Sequence, residues 1–308
     1  MIEQAQNGLL SDPTPHVEYL VFNIHKQPSD AQLATALGHI SNTEKSIGQK
    51  DSDAHLTVTC GFSSSGWDQL FKNFPKPKEL HDFIALKDGN REFPATQGDI
   101  FFMIKSTRID LNYQVAKYLK TAFSSFAELI IDIQGFKYLD DRDMIDFVDG
   151  TENPKDKKRA DAVLIKDDPE YVGGSYLVFQ KYIDKHELWD ALSTEEQEGV
   201  IGRTKFDDIE IDDDKKMPFA HNVKSKVVDE TGEELKMLRQ NRPFGNAMEH
   251  GTIFVGFAAS VKVIEDSLKQ MITADEDGNF DHLLKFVDAT MGINFFIPPQ
   301  SFFEKFDA

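Results

Sequence analysis

Apolar and polar positions alternate along the chain in two successive series. Val17 to His25 is β-branched and aromatic, a pattern that predicts a buried strand. From Asp30 to Lys50 the apolar residues Leu33, Ala36, Leu37 and Ile40 recur at helical spacing. Leu56 to Phe62 returns to strand character, and Ser63 to Phe74 to helical spacing through Trp67, Leu70 and Phe71. Ile100 to Lys105 predicts a third strand. Ile109 to Phe126 predicts a long helix with Leu111, Val115, Tyr118, Leu119 and Ala122 on one side, and Leu129 to Tyr138 a fourth strand. The order suggests helices packed on one face of a mostly antiparallel sheet.

A second series follows a connector, Lys155 to Asp161, whose one apolar residue is Ala160. Gly174 to Tyr182 predicts a strand and Asp184 to Leu192 a helix, with Ser193-Thr-Glu-Glu196 capping the next. Thr252 to Ala258 predicts a strand, Val261 to Met271 a helix, and Ile293 to Ile297 a last strand stopped by Pro298-Pro299. The expectation is an α+β chain of two ferredoxin-like halves, residues 1–154 and 155–308, each a four-stranded, mostly antiparallel sheet with helices packed on it. No strict sequence repeat is visible.

The 308 residues, 40% of them hydrophobic, are enough for two cores. A formal charge of −19 repels phosphates and argues against a nucleic-acid partner. Cys60 is the one cysteine, which excludes an internal disulfide and fits a reducing compartment. No stretch approaches the apolar length of a membrane span, and the first residues lack a basic start, a twin arginine and an export-length apolar run. A cytoplasmic location with no membrane partner is expected.

Three segments carry candidate chemistry. In Ile145-Asp-Phe-Val-Asp149-Gly150-Thr-Glu-Asn153-Pro154, glycine after aspartate permits a bend with φ > 0 that presents the carboxylate. Met217-Pro-Phe-Ala-His221-Asn222 offers an imidazole whose approach is stiffened by Pro218 and Phe219, and Arg239-Gln-Asn241-Arg-Pro-Phe-Gly245 a fixed cation. An acid, an iron ligand and a guanidinium together suit a peroxide-cleaving haem site. His250 is the rival imidazole; preceding a strand, it is expected to face water. Arg242 is the rival cation, although neighbours two or three apart on an extended segment need not face the same way.

These segments, with the closing Phe295-Phe-Ile-Pro-Pro299, resemble the dye-decolorizing peroxidase family, and its shorter, signal-less bacterial branch in length and in the Asn-Arg-Pro-Phe-Gly pattern. The resemblance covers nearly the whole chain, with its motifs in the expected order. It implies paired ferredoxin-like domains with haem b held mainly by the second, His221 as axial iron ligand, Asp149 as proton shuttle, Arg239 as the stabilising cation, Asn241 orienting peroxide, and Arg203 near the haem propionates. Hydrogen peroxide and small organic donors such as phenols and dyes are the implied substrates, and a homo-oligomer is expected. One residue departs from the family pattern: Asp146 stands where a glycine is usual, three before Asp149.

An axial histidine needs a partner on its other ring nitrogen. Asp288 is the candidate, with Asp281 and Asp277 open as alternatives. Arg203 has a second reading, as a helix-end arginine answering the dipole. The run Asp275 to Asp281 resembles a calcium loop but has its glycine at the fourth position, and is expected to be a surface turn. The acidic runs Asp140 to Asp143 and Ile211 to Asp214 are expected to be solvated faces, or a patch for manganese. A haem carrier with incidental peroxidase activity and a haem-free ferredoxin-like binding module are the competing functions.

Overall fold

A computed structural model describes residues 2–306. Four strands of the first half, β1 (His16–Ile24), β2 (Thr57–Phe62), β3 (Ile100–Ser106) and β4 (Ala127–Phe136), form an antiparallel sheet in the order β4-β1-β3-β2. Four of the second, β5 (Ser175–Asp184), β6 (Arg242–Gly245), β7 (His250–Ala258) and β8 (Val287–Ile297), give the order β8-β5-β7-β6. With each half numbered from its own first strand, both read 4-1-3-2, the ferredoxin-like order.

The sheets also meet at both edges, through Phe62 opposite Phe296 and Gly135 opposite Phe244, so eight strands close into a ring. Alternation sorts the side chains. Val17, Tyr19, Val21, Phe101, Leu177, Phe179, Val255 and Phe295 turn inward and form one core drawn from both halves. Tyr19 and Phe101 meet Phe179 across the ring at centroid distances of 5.6 and 5.1 Å.

The outward faces are covered by helices. In the first half α1 (Asp30–Gly48) and α2 (Ile109–Phe123) bury Leu20, Phe22, Phe102 and Ile104. α1 starts as a capping box, Ser29 accepting from the Gln32 backbone N–H while the Gln32 side chain accepts from that of Ser29. In the second half α4 (Val261–Ile272) covers part of the face, but the crossover from β5 to β6 is broken into short pieces, of which α3 (Thr194–Ile201) is the longest. α3 has the expected Ser193/Glu196 capping box and ends at Gly202, φ +89°.

Several boundaries differ from expectation. The connector at Lys155 carries a helix, Asp156–Val163, because Ala160 and Val163 bury one side of it. The strand before His186 runs on to Asp184, leaving a single helical turn, His186–Trp189, anchored by buried Trp189. The final strand begins at Val287, so Asp288 lies within it.

Candidate functional site

Over the outer face of β5 and β7, where the second half lacks a long helix, lies a cavity of about 240 Å³. Its walls are largely apolar, with Phe254, Ile264, Leu268, Met271 and Leu284 among them, and Asp149, Arg203, His221, Arg239 and Asn241 all line it.

Two segments are pinned together to bring the acid and the cation to one wall. Gly150 takes φ +83°, as the Asp-Gly pair requires. Asn153 then acts as a strand partner for Arg239, its side-chain oxygen accepting from the Arg239 N–H at 2.9 Å and its amide donating to the Arg239 carbonyl at 2.7 Å. Arg239 and Asn241 lie two apart on an extended segment and face the cavity together. Gln240 and Arg242 turn the other way. Arg242 donates to the Thr14 carbonyl at 3.1 Å and lies 3.4 Å from Asp141. Among the described residues, the Arg239 guanidinium and the Asp149 carboxylate have no hydrogen-bond partner, whereas the Asn241 side-chain oxygen accepts from the Val255 N–H at 3.0 Å. What Asn241 offers the cavity is therefore its NH₂ donor.

His221 opens a short helical turn, His221–Lys224, and is held by one side of its ring. Its Nδ1 lies 2.6 Å from Asp281 Oδ2, while Asp281 Oδ1 accepts from the Leu283 N–H at 3.0 Å. Asp281 has no exposed surface, so both oxygens are spent and the carboxylate is fixed. Phe219 stacks on His282 at 3.8 Å and tilts by 17°, which locks the two loops together. The other ring nitrogen, Nε2, has no protein partner among the described residues.

The expectation for Asp288 is corrected here. Its carboxylate is 62% exposed and pairs with Lys185 at 2.5 Å, because the strand pleat turns it away from the cavity; Asp281, one of the open alternatives, meets His221. The turn beginning at Asp275 is a surface loop only as far as Phe280. His250 also departs from expectation: its Nε2 is buried rather than in water.

Arg203 follows α3 at the cavity edge with its fork engaged, Nε to Asp208 at 2.7 Å and Nη1 to Glu152 at 3.1 Å. Asp146 takes φ +72°, so the backbone keeps the left-handed turn that glycine adopts freely, at the steric cost of a Cβ. Its carboxylate leans to Lys205, 3.4 Å away.

Two carboxylates went unnoticed in the sequence. Asp143, at the end of a run expected to be solvated, lines the cavity, accepts from the Ile145 and Phe147 N–H groups, and is held well above the usual carboxylate range by burial, with the charges of Asp149 and Asp184 adding to it. Asp184 lines the same cavity and is pushed up to about 7 by burial. Only the period-2 position of Asp184, two after Tyr182, hinted at its direction. Among the described residues no group of three or more His, Cys, Asp or Glu side chains is arranged to hold a bare metal ion.

Paired ferredoxin-like halves, with an imidazole and an acid-guanidinium pair lining one cavity, define a class, and comparison with known proteins assigns it. Residues 6–137 match the N-terminal and residues 140–302 the C-terminal profile of the Dyp-type peroxidases. The chain belongs to the Dyp-type peroxidase family. A dye-decolorizing peroxidase of Rhodococcus erythropolis is 39% identical over 299 residues, 96% of this chain and 87% of that one. The encapsulated DyP-type peroxidase of Mycobacterium smegmatis superposes with a TM-score of 0.94 at 38% identity, covering 98% of each chain. A variant of DypB from Rhodococcus jostii RHA1 in complex with heme superposes at 0.91 with 36% identity, again over 98% of each.

Proposed function

We propose that this chain is a haem b peroxidase that reduces hydrogen peroxide and oxidises small organic donors such as phenols and dyes, with His221 ligating iron and Asp149 and Arg239 acting on peroxide. The residues present fit the group. Asp281 accepts a hydrogen bond from the His221 Nδ1–H, so Nε2 is left as a neutral lone-pair donor with raised basicity. The apolar walls suit a macrocycle, and Lys226 and Lys236 stand with Arg203 on the cavity lining, where carboxylate side groups would meet cations.

Bound haem supplies an iron centre that takes the oxidising equivalents of peroxide and passes them to donors one electron at a time. Asp149 takes the proton from the near oxygen of peroxide and returns it to the far one as the O–O bond breaks. Arg239 stabilises the negative charge that develops on the departing oxygen and stays protonated throughout. Asn241, its oxygen held by Val255, donates from NH₂ and orients the peroxide. In this reading the seam falls at Lys155, so that residues 1–154 contribute Asp149 and residues 155–308 contribute His221, Arg239 and Arg203.

The observation that carries the proposal is a guanidinium with no hydrogen-bond partner among the described residues, sharing one cavity with Asp149 and with an imidazole that Asp281 holds at Nδ1. Visible spectroscopy tests it. His221→Ala is expected to lose the Soret band with its circular dichroism unchanged; a native-like haem spectrum in that variant places the ligand elsewhere. Asp149→Asn is expected to keep haem content and slow peroxide consumption about a hundredfold.

The same proposal places the protein in the cytoplasm, without a nucleic-acid or membrane partner. The lone buried Cys60 and the charge of −19 support it, and among the described residues no helix is long and apolar enough to cross a membrane. Assembly into a homo-oligomer belongs to the proposal too, and light scattering on the purified chain measures it.

A further inference from the structure

Three carboxylates, Asp149, Asp143 and Asp184, line the cavity, and Asp143 feels the charges of the other two. Tyr182 and Asp184 alternate with Ile183 on β5 and so share the cavity face. The Asp184 side chain is 4% exposed, and its Oδ2 has no hydrogen-bond partner among the described residues. His186 brings Nε2 to 3.8 Å from that oxygen and Nδ1 to 3.8 Å from Asp190, whose carboxylate stands in solvent. His250 sets its ring edge-on to His186 at 4.3 Å, with its own Nδ1 3.1 Å from the Asn246 carbonyl oxygen. Nε2 of His186 and Nε2 of His250 are likewise buried and without a hydrogen-bond partner among the described residues. Buried polar groups are nearly always paired in folded proteins, so three such atoms side by side call for an explanation.

We propose that His186 and Asp184 carry protons from solvent at Asp190 to the peroxide side of the cavity, by way of Asp143 and Asp149. This rests on the peroxidase reading and deepens it, since reducing peroxide to water takes up one proton for each electron. A proton from solvent binds Nδ1 of His186, and the ring releases the one on Nε2 to Asp184 Oδ2 once the gap of 3.8 Å closes by about 1 Å to hydrogen-bond length. The Asp184 carboxyl passes a proton to Asp143, and Asp143 passes one to Asp149. Uptake from solvent breaks an O–H bond and forms the Nδ1–H bond; each later transfer breaks one N–H or O–H bond and forms one O–H bond. No electron moves, and the net result is one proton carried inward.

The surroundings raise the proton affinity of the intermediate stations. Burial pushes Asp184 up to about 7, so that it exchanges a proton near neutral pH, and holds Asp143 well above its ordinary range. Asp143, in the loop after β4, feels the charges of both Asp184 and Asp149; His186 faces Asp184 with Asp190 behind it, and His250, at the start of β7, packs on His186. On β8 its register partner is apolar Val287, and the Lys185–Asp288 ion pair is turned to the other face.

The test uses the full chain, haem-free for spectroscopy and haem-loaded for turnover. Asp184→Asn preserves shape and removes the charge. Nitrogen-15 NMR of the imidazoles is expected to show the His186 Nε2 resonance displaced in this variant, because the carboxyl group facing that nitrogen is replaced by an amide. His186→Gln, at a partly exposed position, is expected to slow peroxide consumption about tenfold at pH 8 and much less at pH 5, where protons reach the cavity by other routes. An unmoved His186 Nε2 resonance in Asp184→Asn, or an unchanged pH profile in His186→Gln, overturns the relay. Failure of the wild-type chain to take up haem overturns the peroxidase reading instead, and the NMR result is independent of it.

Discussion

The two halves share a strand order and differ in what lies on their outer faces. In the first, α1 and α2 press onto Leu20, Phe22, Phe102 and Ile104. In the second, the crossover between β5 and β6 is shattered into short turns, and the space a long helix would fill is the cavity bearing His221, Arg239 and Asp149. The difference teaches that one topology serves as a scaffold when its face is filled and as a reaction vessel when it is not. The stability of the solid half supports the hollow one through the shared ring.

Truncations break the comparison most sharply. Phe22→Ala, in the filled half, is expected to cost about 3–5 kcal/mol by urea denaturation, whereas Leu268→Ala, already facing open space, should cost about 2 kcal/mol or less in the haem-free protein. Equal costs would mean that the cavity is closed in solution.

Next come the buried acids, one in each half. Glu18, beside Asp132, is pushed up to about 8 and Asp184 to about 7, burial leading in both. For a carboxyl whose folded value is raised, the folded chain holds its proton where the unfolded chain has lost it. Stability is therefore full below the unfolded value near 4 and falls as pH climbs toward 7 or 8. Asp184→Asn is expected to remove a loss on the order of 4 kcal/mol between pH 4 and 8. Glu18→Gln should shift stability in the same direction without touching peroxide turnover, and denaturant midpoints at the two pH values measure both.

A smaller effect separates the His221 support from the rest. Asp281→Asn keeps one hydrogen bond and loses the charge, and is expected to weaken haem affinity about 10- to 100-fold by spectroscopic titration, while Asp288→Asn should change nothing. The smallest is Asp146→Gly. Relief of the positive φ and loss of the partly exposed Lys205 pair oppose each other, so the melting temperature should move by less than about 1 kcal/mol equivalent, with turnover unchanged.

The strands and the two long helices of the first half were legible because alternation and helical spacing are local. The closure of the ring was not, since it hangs on two single register pairs far apart in sequence, Phe62 with Phe296 and Gly135 with Phe244. Asp149, Arg239, Asn241 and His221 stood out by their segments, and the structure brings them to one cavity. Asp281 did not, because it ends a run that reads as an exposed turn and is buried only through the Met271 carbonyl and the Phe219–His282 stack. Asp143 and Asp184 were hidden for a related reason: an aspartate's surroundings depend on the loop folded over it, and no spacing rule encodes that.

The inward core of the ring is built from residues of both halves, interleaved so that Phe179 touches Tyr19 and Phe101. Cutting the chain at Lys155 would leave each fragment with a bare apolar sheet, and so neither piece is expected to stand alone as a soluble unit. Whatever its origin in two similar parts, the molecule has become a single indivisible object, and evolution can vary the hollow side only within what the common interior tolerates.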